Sequence, residues 1–155
     1  AVAPKECDWL ITREQIANVA GWAPADFDDV FMRDLNKLIR VTDMVSLNQR
    51  RHLISQTCHE TGRYRWMKEL SSGEQYSNWM ERNGMSDDRI MKEGADYVAD
   101  TYPFLSAVCW IEKNKWAEVC KGEDVYQVTR VLNGGYNGID DRLHYYEKAC
   151  RYIQE

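Results

Sequence analysis

The sequence has no run of apolar residues long enough to cross a bilayer, so no stretch of it reads as a membrane span. Its five cysteines, Cys7, Cys58, Cys109, Cys120 and Cys150, include no pair at the short C-x₂₋₄-C spacing of a zinc site, and no metal or other cofactor is expected. It has no basic excess. Against 25 acidic residues stand 20 lysines and arginines, and a net charge of -5 argues against nucleic acid as the main partner. Proline is scarce at three residues, and no segment shows the strict alternation of a half-buried strand.

What is present is helical spacing. A hydrophobic share of 44%, with nine tyrosines and six tryptophans, is ample for one core. Thr12 and Gln15 form a capping box for a short helix ended by Gly21. Ala23 and Pro24 open a longer helix with Phe27, Phe31, Leu35, Leu38 and Ile39 on its apolar face and Val30 and Met32 widening it. A helix from Ser46 follows. The polar segment Ser71 to Ser86 reads as one irregular helical turn around Trp79, and Asp87 or Asp88 starts a helix carrying Met91, Ala95 and Val98. Pro103 marks a boundary before a helix with Phe104, Leu105, Val108, Cys109 and Ile111, apolar enough to be the most central in the domain. Two more run from Glu123 to Val131 and from Asp140 to Ile153. The expected fold is all-α, about seven helices in two groups with a cleft between them. Residues 12–155 form a single domain after an N-terminal extension of residues 1–11.

The cysteines leave the redox state open. Cys58 falls on an apolar helix face and reads as a free core thiol. Cys109 could bridge to Cys120 and Cys7 to Cys150 in an exported protein, whereas all five would stay reduced in the cytosol.

The segment Ser46 to Leu70 organises the rest. Ser46 and Gln49 cap a helix whose stripe is Leu53, Ile54, Thr57 and Cys58, and Gly62 stops it just after His59 and Glu60. Glu60 and Glu69 are nine residues apart; a continuous helix would rotate them by about 900° and separate them by roughly 13.5 Å. A reversal at Gly62 lets Glu69 return toward the ~6.5–9.5 Å at which one carboxyl protonates a glycosidic oxygen while the other activates water. Arg50, Arg51, His52, Arg63, Arg65 and Lys68 concentrate positive charge here, enough to steer an anionic polymer. Arg63 stands where an HExxH zinc motif needs its second histidine.

The run HETG at His59 to Gly62, with the aromatic segment and Glu69 after it, resembles the active-site segment of the family 19 chitinase-like glycoside hydrolases, notably the lysozyme-like endolysins of bacteriophages. Val128 to Gly138, with Asn133-Gly134-Gly135, then Asp141-Arg142, resembles that family's second motif. The resemblance implies a lysozyme-like or chitinase-like helical fold with Glu60 as general acid and Glu69 as the base that activates water. His59, Tyr64, Trp66, Asn133 and Arg142 then meet the substrate. It implies inverting hydrolysis of peptidoglycan strands by a monomer outside the cytoplasm, as an exported toxin or a lysin released during phage lysis. Chitin is the alternative substrate, an inhibitor or immunity protein the fitting protein partner, and an inactive glycan-binding protein the alternative class. The chain departs from the family between Tyr76 and Ser77, where the Gly-Arg-Gly and Gln-Leu-Thr-Gly cleft segment is missing.

Overall fold

The computed structural model describes residues 5–70 and 73–155, with the backbone alone for residues 69 and 70. Among the described residues it is all-helical, with ten α-helices, four short 3-10 turns and no strand. No helix among them is long and apolar enough to cross a membrane.

Local signals fix the first helices. Thr12 caps α1 (Arg13–Ala20) with both bonds of the capping box, and Gly21 closes it in the left-handed conformation. The sequence predicts one helix from Pro24, but Pro24–Asp26 is a separate 3-10 turn. The long helix α2 (Asp29–Val41) starts at Asp28, whose side chain accepts the Phe31 N–H. That entry leaves Val30 exposed and turns Met32, Leu35, Leu38 and Ile39 inward. Leu10 and Ile11, placed by sequence in the N-terminal extension, are pinned to α2: Asn36 Oδ1 accepts both their N–H groups at 2.7 and 3.1 Å.

Helix α3 (Leu47–Glu60) is the centre of the fold, a place the sequence assigned to the segment after Pro103. Nine of its 14 residues are buried, and it packs chiefly on α10 (Ile139–Tyr152), with α1 and α9 (Val125–Asn133) alongside. Several of the buried residues are polar, and their side-chain polar atoms are hydrogen-bonded except His52 Nδ1. Gln49 Nε2 donates to Ala117 O at 2.8 Å, and Arg50 reaches Val45 O, Leu10 O and the Glu155 carboxylate. Such bonds tie distant segments to one helix, which apolar contacts alone would not register as sharply.

The other half is more broken than expected. The segment around Trp79 is a regular helix, α4 (Gly73–Arg82), because Tyr76, Trp79 and Met80 share one buried face at helical spacing. Tyr76 and Ser77 lie inside it, in uninterrupted helix. Gly94 (φ 78°, ψ -155°) splits the next helix into α5 (Arg89–Glu93) and α6 (Ala95–Thr101). A left-handed Lys115 separates α7 (Val108–Lys113) from α8 (Trp116–Val119). Trp116 is core, packed edge-on against Trp110. All five cysteines are free thiols, so neither the Cys109–Cys120 nor the Cys7–Cys150 bridge is formed. Cys58 lies fully inside the core, where burial pushes its thiol up to about 12.

A buried acid on α2 joins the two halves. Asp34 Oδ2 accepts the N–H groups of Phe104 and Leu105 at 2.6 and 2.9 Å, holding the 3-10 turn Leu105–Ala107 against α2. Burial raises its carboxyl from 3.8 to about 7, outweighing those two N–H groups and Lys37, which favour the ionised form. A folded-state value above the unfolded one means that the stabilisation is complete below pH ~4 and is lost as pH rises through about 7. Asp34→Asn keeps an acceptor for both N–H groups without the titration. Its stability relative to the parent should therefore rise between pH 4 and 8, by roughly 4 kcal/mol at most. Urea unfolding at several pH values measures this, and parallel pH profiles for the two proteins would refute it.

Candidate active site

The end of α3 holds three of the sequence-predicted residues, His59 and Glu60 on the helix and Arg142 against it. His52 Nε2 lies 2.8 Å from Gly122 O, just before α9, and one turn on Gln56 Nε2 donates to Thr129 Oγ1 at 3.0 Å. The two helices therefore run alongside in the same direction. Residues four apart share a helix face, so Glu60 on α3 and Asn133 on α9 each lie one turn further toward the same end. Asn133 is the last residue of its helix and is exposed, with Gly134 in the left-handed conformation as cap.

Helix α10 begins at that same end and supplies a cation. The sequence predicts Arg142 at the substrate, but the structure buries it beneath Glu60, with 1% of its surface accessible. Its fork serves three acceptors: Nη2 donates to Glu60 Oε1 at 2.5 Å, Nε to Asn137 O at 3.0 Å, and Nη1 to Gln56 Oε1. A planar guanidinium can satisfy all three at once, which lysine could not. Glu60 is left 31% exposed, one carboxyl oxygen held by Arg142 and the other, Oε2, without a hydrogen bond among the described residues.

His59 is set beside it by a second contact to α10. Its Nδ1–H donates to Asp141 Oδ2 at 2.6 Å, because an ionised carboxylate can only accept. The ring rests on Gly138, where an added Cβ would come within 2.3 Å of His59 Cε1; with φ +72° as well, only glycine suits the position.

After Glu60 the chain reverses through three consecutive left-handed residues, Gly62 (φ 57°), Arg63 (φ 60°) and Tyr64 (φ 66°). Left-handed backbone at the two that are not glycine costs roughly 1–3 kcal/mol each. Bonds around the turn offset it: Arg63 N–H donates to Cys58 O at 2.8 Å, Tyr64 N–H to Thr61 Oγ1 at 2.7 Å, and Trp22 Nε1–H to Arg63 O at 2.7 Å. The reversal separates the aromatic residues predicted to meet substrate. Tyr64 turns inward, its hydroxyl 2.9 Å from Ile54 O and its ring against Phe27, Phe31 and Phe104. Trp66 stays 58% exposed, lying so close over Gly62 that a Cβ there would meet its ring at 2.2 Å. Glu69 belongs by backbone to the 3-10 turn Met67–Leu70, and its side chain is outside the described residues.

Grooves open to solvent lie among the described residues. One of about 650 Å³ between α4 and α7 is lined by Gln75, Asn78, Arg82, Trp110 and Glu112 and holds none of the predicted site residues. One of about 300 Å³ is bounded by Trp22, Phe27, Phe31 and the reversed turn from Arg63, and one of about 410 Å³ by Trp66, Lys68 and Asp100. The end of α3 differs from these grooves in holding a carboxyl group against a buried arginine, with one oxygen fixed and the other without a hydrogen bond among the described residues; Glu112, in the 650 Å³ groove, has one oxygen fixed by the Trp79 Nε1–H at 3.2 Å instead. Among the described residues no three histidine, cysteine or acidic side chains converge as a metal site would require.

Sequence reading missed Gln56, Thr129 and Asp141 as members of the site. The signal for Gln56 was a polar residue one helical turn before Glu60 on the same face; for Asp141, its place beside Arg142. Compared with models of protein families, with curated proteins and with solved structures, the chain matches none.

Proposed function

We propose that the protein is a glycoside hydrolase that cuts the glycan strands of bacterial peptidoglycan with inversion at the anomeric carbon. One observation carries the reading: Glu60, at the open end of the central helix, has Oε1 anchored by Arg142 and Oε2 without a hydrogen bond among the described residues. In the protonated acid the carbonyl oxygen accepts the Arg142 N–H and the proton sits on Oε2, aimed outward. As that proton passes to the glycosidic oxygen and the C1–O bond breaks, charge develops on Glu60 next to a buried guanidinium. The interaction strengthens in the transition state, the condition for it to accelerate the step. Glu69 takes a proton from the water that attacks the opposite face, and the product is a hemiacetal of inverted configuration. Asn133, with a donor and an acceptor, and Trp66, with an open ring face, orient the sugars.

Peptidoglycan lies outside the cytoplasmic membrane, so the protein acts there, as an endolysin or a secreted cell-wall toxin. Purified peptidoglycan and chitin oligomers incubated with the protein test the reading. The expected result is release of reducing ends from peptidoglycan, with the first product in the α configuration by proton NMR. A β product would sink the inverting mechanism. Co-sedimentation without new reducing ends would make the protein a glycan-binding one.

A further inference from the structure

Two guanidinium groups next to the site have no acid partner among the described residues. Arg63 Nη1 donates to Ala20 O at 3.3 Å and the group lies 4.6 Å over the Trp22 ring; Arg65 Nε donates to Gly62 O at 2.9 Å and its group lies 4.8 Å over Trp66. Backbone carbonyls and ring faces hold these groups in place without neutralising them. Arg13, Arg33, Arg50, Arg89 and Arg142 each sit on a carboxylate, while Arg40 and Arg51, away from this groove, also donate to backbone carbonyls. In a chain of net charge -5 this leaves a local cationic surface.

Both arginines line the 300 Å³ groove, whose floor is apolar: Phe27, Phe31 and Met67. One acid also lines it: Asp26, whose Oδ2 is fixed by the Ala23 N–H at 2.9 Å, offsets one of the two guanidinium charges and leaves the lining with a net excess of one cation. The groove also adjoins the end of α3. The Arg63 N–H, at the wall of the groove, donates to Cys58 O on α3 at 2.8 Å, two residues before Glu60.

We propose that Arg63 and Arg65 form a carboxylate-binding subsite that takes the acidic stem peptide of peptidoglycan beside the glycan strand at Glu60. Two guanidinium forks match two carboxylates, and the apolar floor accepts the methyl groups of alanyl residues between them. Chitin has no ionised group to offer, so the same subsite separates the two polymers. The inference rests on the glycan-hydrolase reading, but binding tests it separately.

The experiment titrates the protein with a muramyl peptide bearing free carboxylates and with the same peptide amidated, following tryptophan fluorescence, since Trp22 and Trp66 flank the arginines. The acidic form should bind at least about tenfold more tightly. Arg63→Gln/Arg65→Gln should erase that preference, and Arg65→Gln alone, a change at an exposed side chain, should reduce it with the circular dichroism unaltered. Equal affinity of the unaltered protein for acid and amide would overturn the subsite whatever the variants do. So would an undiminished preference in the folded Arg65→Gln and double variants. Selective binding without any release of reducing ends would leave the subsite standing and remove the hydrolase reading; hydrolysis without selectivity would do the reverse.

Discussion

Glu60→Gln is expected to lower turnover of peptidoglycan by a factor of about 10² to 10⁴, the usual contribution of a positioned general acid. Glutamine has the same shape and keeps an oxygen for the Arg142 Nη2–H, so the anchor survives. What disappears is a transferable proton on the outward atom. Arg142, 1% exposed, keeps Gln56, Asn137 O and the glutamine oxygen as acceptors but loses its carboxylate, so stability should fall by roughly 2–3 kcal/mol, or about 4–12 °C in Tm. Polymer binding should persist, read as co-sedimentation with peptidoglycan. A variant retaining more than half of the parent rate would exclude Glu60 as the acid, and one that no longer folds would show the pair to be structural first.

The parts of this molecule written into neighbouring residues were legible in the sequence. The capping boxes at Thr12 and Ser46, the end of α3 just after Glu60 and the burial of Cys58 depend on residues within one or two turns of each other. Helix α4 was missed because polar residues interleave its three buried ones, which hides the period in so short a segment. The site divides in the same way. Glu60 and its neighbour His59 were legible at the helix end, but the position of Arg142 was not. Arginine is mostly a surface residue, and its acceptors on α3 lie 82 and 86 positions away. Nor was the inward turn of Tyr64, since left-handed backbone at Arg63 and Tyr64 comes from tertiary bonds rather than from a local preference of those residues.

Arg142→Met is expected to have the largest effect on stability, and Arg142→Lys separates its two roles. Methionine fills much of the space but donates nothing, leaving Gln56 Oε1 and Asn137 O without a donor and Glu60 without a cation. Breaking a buried pair this way costs about 3–5 kcal/mol; with Glu60 in part exposed the lower end applies, a fall of roughly 6–12 °C in Tm. Lysine restores the charge but not the fork. It should recover part of the lost stability while leaving the Glu60 carboxyl unfixed, so that Oε2 no longer points at a defined place. Measured well below both melting temperatures, Arg142→Lys should then lose about tenfold or more in kcat with KM within about twofold, the pattern of an interaction made in the transition state. A purely structural arginine would give full kcat wherever the lysine variant is folded. That outcome would leave Glu60 as the acid but remove Arg142 from the reaction.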